Sequence, residues 1–273
     1  MTTTQLLVSL WEPGWVVPTV SLLALLAYAV RFGARAGGAK VVCFAFAVAI
    51  FFLSLASPVG VLARGYLFSA HMLQHLLLML AVPPLLLLGL PRVVASPPWA
   101  PRDPDSPLTT FGSWAFGIAA MWIWHAPTLC NAAAASVGVQ AFQTVSLLAM
   151  GLAFWRPVFA PDLSERLPVF PATLYLFSAC IGCTILGVVV TLSPVAVCAA
   201  YMHPVDSLGV LPLLRNGWGL SCKADQEIGG LLMWVPACLV YASAILATFG
   251  RYYAEEGRAP LARLERATKG GGT

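Results

Sequence analysis

The chain carries only four histidines, and two of them, His71 and His75, stand four residues apart in the stretch "SAHMLQHLLLML" (69–80). Residues four apart share one face of a helix, so both rings, with Met72 and Gln74 beside them, can address one point. Met121 and His125 repeat that spacing in "MWIWHAP" (121–127), and His203 follows Met202 in "AAYMHP" (199–204). In "ADQEIGGLLMWVP" (224–236), Asp225, Gly229 and Met233 fall at i, i+4 and i+8, which lines up a carboxylate, a gap and a thioether along one stripe. Imidazole with thioether is a soft to borderline donor set that suits copper, Cu(I) above all, better than calcium or magnesium. Two histidines at i and i+4 also suit zinc, but "HMLQH" lacks the glutamate of H-E-x-x-H, so protease chemistry is unsupported. A haem held by two histidines stays open beside copper. His71 and His75 share a helix, so His125 would have to supply its second ligand.

The elements that must position these groups follow from composition. Hydrophobic residues make up 59% of the 273 residues and charged residues 10%, and the mean hydropathy is +0.84. Soluble domains hold about 25% charged residues, so the chain reads as an integral membrane protein. Seven stretches reach the roughly 20 apolar residues of a membrane span: 14–32, 41–59, 66–90, 109–127, 136–156, 170–201 and 225–250. No ten-residue alternation of an outer-membrane barrel is present, so the spans must be helices. The expected fold is an all-α, seven-helix transmembrane bundle forming one domain over 1–250, with a charged tail over 251–273. The start, "MTTTQLLVSLWEPGW", lacks a basic segment and an A-x-A site, so the first span is expected to stay in the mature protein.

Basic residues orient the bundle. Arg31, Arg35, Lys40, Arg92, Arg102, Arg156, Arg166, Arg251, Arg258, Arg263, Arg266 and Lys269 fall on one side of the expected spans. Arg64, Arg215 and Lys223 fall on the other, so the 15 basic residues divide twelve to three. The bias places the N-terminus outside and the C-terminus in the cytoplasm, and the net charge of +4 reflects this topology rather than nucleic-acid binding. At about 1.5 Å per helical residue, His71 then lies roughly 8 Å and His75 roughly 14 Å inside the outer end of the third span at Tyr66. His125 lies near the outer boundary of the fourth span and His203 at or beyond that of the sixth. Every histidine falls in the outer half of the membrane or just beyond it.

The same residues have plainer uses. A lone histidine in a membrane helix commonly hydrogen-bonds a neighbouring helix, and Met121 and Met233 suit gap filling. Asp225 suits the positive end of a helix dipole, and Trp122, Trp124, Trp218 and Trp234 suit an interfacial belt. Two rings on one face, with a third arriving at similar depth, favour a site, since ionisable groups at membrane depth are by default functional. Of seven cysteines, Cys180 and Cys183 form a C-x-x-C at mid-membrane among apolar neighbours, which favours packing over redox chemistry. Cys130 and Cys222 fall in outer loops where a disulfide is chemically allowed; Cys43, Cys198 and Cys238 read as packing.

Together, "HMLQHLLLMLAVPPLLLLGLP", "WIWHAP" and "DQEIGGLLMWVP" resemble the CtaG family of polytopic cytochrome c oxidase assembly factors associated with caa-type oxidases. The resemblance runs through all seven spans in order. It implies a non-enzymatic membrane protein of the bacterial plasma membrane that matures a haem–copper oxidase by handling copper. Its partners would be an oxidase subunit within the bilayer and a soluble copper donor outside. It points to His71, His75 and His125 as ligands and to Asp225, Gln226, Met233 and Trp234 as the seventh-span signature. The loop "MHPVDSLGVLPLLRNGWGLSCK" departs from the family pattern, leaving His203 and Cys222 unmatched. The Pro83–Pro84 pair is expected to free carbonyls and bend the third span in its inner half.

Overall fold

Prolines punctuate this chain, and the helices start and stop around them. The computed structural model describes residues 8–11, 14–33, 35–92 and 106–270, with side chains as far as Ala254. Arg102 and the side chains of Arg258, Arg263, Arg266 and Lys269 lie outside what is described. Among the described residues the helices are α1 (Val16–Phe32), α2 (Gly38–Ala56), α3 (Pro58–Ala63), α4 (Phe68–Gly89), α5 (Pro107–Trp124), α6 (Pro127–Ala135), α7 (Val137–Phe159), α8 (Val169–Leu192) and α9 (Cys222–Gly270). Pro58, Pro107 and Pro127 stand in the first turns of α3, α5 and α6, where a missing N–H costs nothing. Five helices, α2, α4, α7, α8 and α9, are long and apolar enough to cross a membrane. The other two expected spans fall on α1, an apolar helix of 17 residues, and on α5, of 18 residues.

Two boundaries differ from the sequence reading. Helix α8 ends at Leu192 rather than near 201, because Pro194 can neither donate to the ladder nor tolerate helical backbone before it. The loop that follows includes Cys198, which forms a disulfide with Cys130 of α6, their Cα atoms 5.8 Å apart. The bond takes Cys130 away from Cys222, the partner its outer position allowed, and corrects the reading of Cys198 as packing. Cys222 is a free thiol whose sulfur lies 3.6 Å from the Met202 carbonyl. The second difference is α9, which continues past residue 250 to Gly270.

Helix α4 is the central element: 61% of its most apolar stretch is buried, against 22–39% in the other four spans. Its ladder is interrupted at Pro83 and Pro84, which have no N–H to give. The chain responds with a π turn over Leu77–Ala81, in which the Val82 N–H reaches back to Leu77. The carbonyl of Met79 accepts a hydrogen bond from the Trp155 indole N–H at 3.0 Å, so the expected disturbance appears as a wide turn stitched to α7. A side chain at Gly151 would strike Pro83 at 2.7 Å, which is why α7 can lie so close.

Other helices satisfy both ends of α4. At its start, Asp225 of α9 accepts from the backbone N–H of Phe68 (2.8 Å) and Ser69 (3.0 Å) and from the Ser69 hydroxyl (2.5 Å). At its end, the Tyr28 hydroxyl donates to the Gly89 carbonyl (2.8 Å) and the Lys40 ammonium to the Leu90 carbonyl (2.6 Å). Between them the Gln74 amide donates to the Ser54 carbonyl of α2 at 2.8 Å. Helix α9 reaches α4 and α8 through small residues, as membrane helices do. A Cβ on Gly229 would meet the Phe68 ring at 2.5 Å, and one on Gly230 would meet the Thr191 hydroxyl at 2.2 Å. Trp234 covers Gly187 in the same seam.

The basic residues sort to the two ends of this framework. Lys40 lies within charge-interaction range of Arg92 and Arg166. Arg166 donates to the Ala160 carbonyl, Arg251 to the Leu167 carbonyl, and Arg156 pairs with Glu165 at 2.8 Å. Arg215 binds the Leu220 carbonyl beside the start of α9, at the end where the histidines lie.

Asp225→Ala removes three hydrogen bonds and strands two buried N–H groups, a loss on the order of 3 kcal/mol. Thermal unfolding of the detergent-solubilised protein should show a clearly lowered midpoint, with Asp225→Asn intermediate because its amide oxygen keeps an acceptor. A midpoint for Asp225→Ala equal to that of the wild type would deny the cap this role.

Candidate metal centre

The cap fixes α4 only two residues before His71, and the helix then presents His71 and His75 on one face, their ring centroids 4.2 Å apart. His125 arrives at the C-cap of α5, its ring 5.3 Å from that of His75. Each of the three is under a tenth exposed. The Nδ1–H of His125 donates to the carbonyl of Met121, one turn earlier. A carbonyl only accepts, so this bond fixes the tautomer and leaves Nε2 with a free lone pair. That Nε2 lies 3.1 Å from the Met72 sulfur. The lone pairs of Nε2 and of the Met72 sulfur thus face one point, while the bond to the Met121 carbonyl orients the ring as second hydrogen bonds orient ligating histidines.

A small cavity of about 30 Å³ opens beside them, walled by His75, His125, Met72, Met79, Met121, Met233 and Cys183 together with three leucines. That is space for two or three water-sized groups at about 10–15 Å³ each. Both ring nitrogens of His71 and of His75 are buried without a hydrogen-bond partner, as is the Gln143 amide nitrogen, although Gln143 approaches His75. Buried polar groups are normally satisfied, so each ring is left with an unpaired N–H and a free lone pair. His71 sits off the cavity against Tyr201, ring centroids 5.6 Å apart. Among the described residues, no three His, Cys, Asp or Glu side chains are set to hold one ion together. The donors that converge are two imidazoles with thioethers and one thiol, a set that fits a soft monovalent cation.

The remaining residues singled out in the sequence take supporting places. Asp225 caps α4, and Gln226 ties down the loop after α8, accepting from the Val197 N–H at 2.9 Å and donating to the Val195 carbonyl at 3.1 Å. Trp234 packs α9 on α8. His203 is exposed in that loop, and Cys222, at the first residue of α9, takes no part in the cavity wall.

Three residues of the site went unread in the sequence. Met79 continues the stripe His71, His75 at i+8, a signal that was present but masked by a run of leucines. Gln143 gave no signal beyond being a lone amide in an apolar span. Cys183 was read as packing, yet it lines the cavity and its thiol donates to the Met233 carbonyl at 3.0 Å. Its C-x-x-C partner Cys180 instead faces Cys238, the two sulfurs 3.0 Å apart.

No curated protein and no solved structure is detectably similar to this chain. A family model does match, over residues 22–255, and describes the cytochrome c oxidase caa3 assembly factors. That stretch includes α4 with its histidines, the Met121–His125 turn and the Asp225 cap. The chain belongs to the caa3-type cytochrome c oxidase assembly factors, the CtaG family.

Proposed function

We propose that this protein carries copper as cargo at the outer face of the plasma membrane and hands it to a haem–copper oxidase subunit during assembly. The observation that carries the reading is the facing pair His125 Nε2 and Met72 Sδ, 3.1 Å apart, beside the unpartnered nitrogens of His75. His75, His125 and Met72 would hold the ion, with Met121, Met233 and Met79 completing a thioether-rich wall. Copper is the metal this donor set favours. The cavity's small volume supports a single ion over a porphyrin, which would need a slot many times larger.

The same reading gives the protein seven spans, with α1 and α5 joining the five longer helices, the N-terminus outside and the C-terminus in the cytoplasm. The gathering of Lys40, Arg92, Arg156, Arg166 and Arg251 at the end away from the histidines supports that orientation. The role is stoichiometric delivery rather than catalysis: binding, orientation and release of an ion.

A reporter fused after Lys269 should be active only in the cytoplasm, and one inserted at Asn216 only outside. The opposite pattern would turn the histidines toward the cytoplasm and remove the outer-face reading.

His75→Gln keeps volume and hydrogen-bonding capacity while losing an imidazole. It should accumulate normally, bind copper at least tenfold more weakly, and leave the oxidase subunits present but inactive. His203→Gln, in the exposed loop, should change neither. Wild-type copper affinity in the His75→Gln protein, measured by competition with a cuprous chelator, would overturn the site.

A further inference from the structure

The C-x-x-C of α8 does not pair within itself. Cys180 lies 3.0 Å from Cys238 of α9, with the Thr184 hydroxyl 3.4 Å from Cys238. A disulfide is about 2.05 Å long, so the two sulfurs need close by only about 1 Å to bond. Cys183, three residues after Cys180 on α8, is itself part of the cavity wall. The thiol pair therefore lies about one helical turn from the cavity wall.

Two further observations give this pair work to do. The Cys130–Cys198 disulfide belongs to the end of the molecule where the histidines lie, and disulfides persist where the compartment is oxidising. Free copper in such a compartment is cupric. The cavity's thioethers and thiol instead favour the cuprous ion. Something must supply one electron per ion between arrival and capture.

We propose that Cys180 and Cys238 are that reductant: a dithiol beside the cavity that reduces cupric to cuprous copper and becomes a disulfide joining α8 to α9. The step balances. Two thiols lose two protons and two electrons and form one S–S bond, two cupric ions each gain one electron, and the protons leave with the water the ions shed. Because the cavity admits one ion at a time, the first takes one electron as one proton leaves and a sulfur-centred radical shared by the two cysteines remains, and the second takes the other electron as the S–S bond closes. The inference rests on the copper reading of the cavity.

The test uses the full chain, reduced and reconstituted in phosphatidylcholine vesicles, with cupric sulfate as oxidant and bicinchoninate trapping the cuprous ion. The wild type should yield two more cuprous ions per chain than Cys180→Ser/Cys238→Ser. Peptide mapping without reduction should find Cys180 joined to Cys238. Cys180→Ala/Cys238→Ala serves in place of the serine protein if that one does not accumulate. An equal cuprous yield from the variant, or a cross-link to Cys183 in place of Cys238, overturns the proposal. Cuprous copper supplied directly as its acetonitrile complex separates the two readings. If the serine protein and the wild type bind it alike while no Cys180–Cys238 link forms under cupric copper, the cavity stands and the reductant falls. If the wild type does not bind it, the cavity reading falls and takes the reductant with it.

Discussion

The carboxylate of Asp225 holds the first turn of α4 by three hydrogen bonds, and the rest of the site depends on it. A membrane helix beginning inside a bundle leaves N–H groups that water cannot reach, and leaving them unpaired costs several kcal/mol. Asp225 meets that need from another helix, so the cap also fixes α9 against α4 in height and rotation. Gly229, one turn further, lets the two backbones close on Phe68 and Met72. Met233, one turn beyond that, reaches the cavity. The stripe of carboxylate, gap and thioether is thus a ruler laid along α4, with His71 and His75 as its opposing marks.

The same economy governs the other end of the cavity. The wide turn over Leu77–Ala81 exists because Pro83 and Pro84 interrupt the ladder, and the Trp155 bond to the Met79 carbonyl keeps that interruption from being an orphaned polar group. Met79 therefore has its backbone fixed by α7 while its side chain walls the cavity. Support for the cavity comes from side chains of α7 and α9 that pair with the backbone of α4.

Much of this was legible in the sequence, and the division has a physical reason. Hydropathy located a helix under every expected span, and four-residue spacing put His71 with His75 and Met121 with His125, because both signals are local to one helix. Contacts between helices have no such local signal. Nothing adjacent to Asp225 says that it caps α4 rather than its own helix, and nothing near Cys180 names Cys238, 58 residues away, as its neighbour. The error over Cys198 came from extending the sixth span through Pro194; once the helix stops at Leu192, that cysteine belongs to the loop that meets α6. His71 shares the stripe with His75, yet its ring lies beside Tyr201 and off the cavity wall, a contact between separate elements that the stripe alone does not announce.

A cavity of about 30 Å³ has no room for an ion that keeps its hydration shell. A copper ion carried as proposed would have to exchange its waters for side-chain atoms as it entered, and reverse the sequence to leave. Selection would then act on kinetics as well as on affinity, since ions whose water ligands exchange slowly would be held back at the threshold whatever their preference for nitrogen or sulfur. Under the proposed copper role, departure would carry the same requirement, and a receiving protein would have to offer its own donor before the last one here let go.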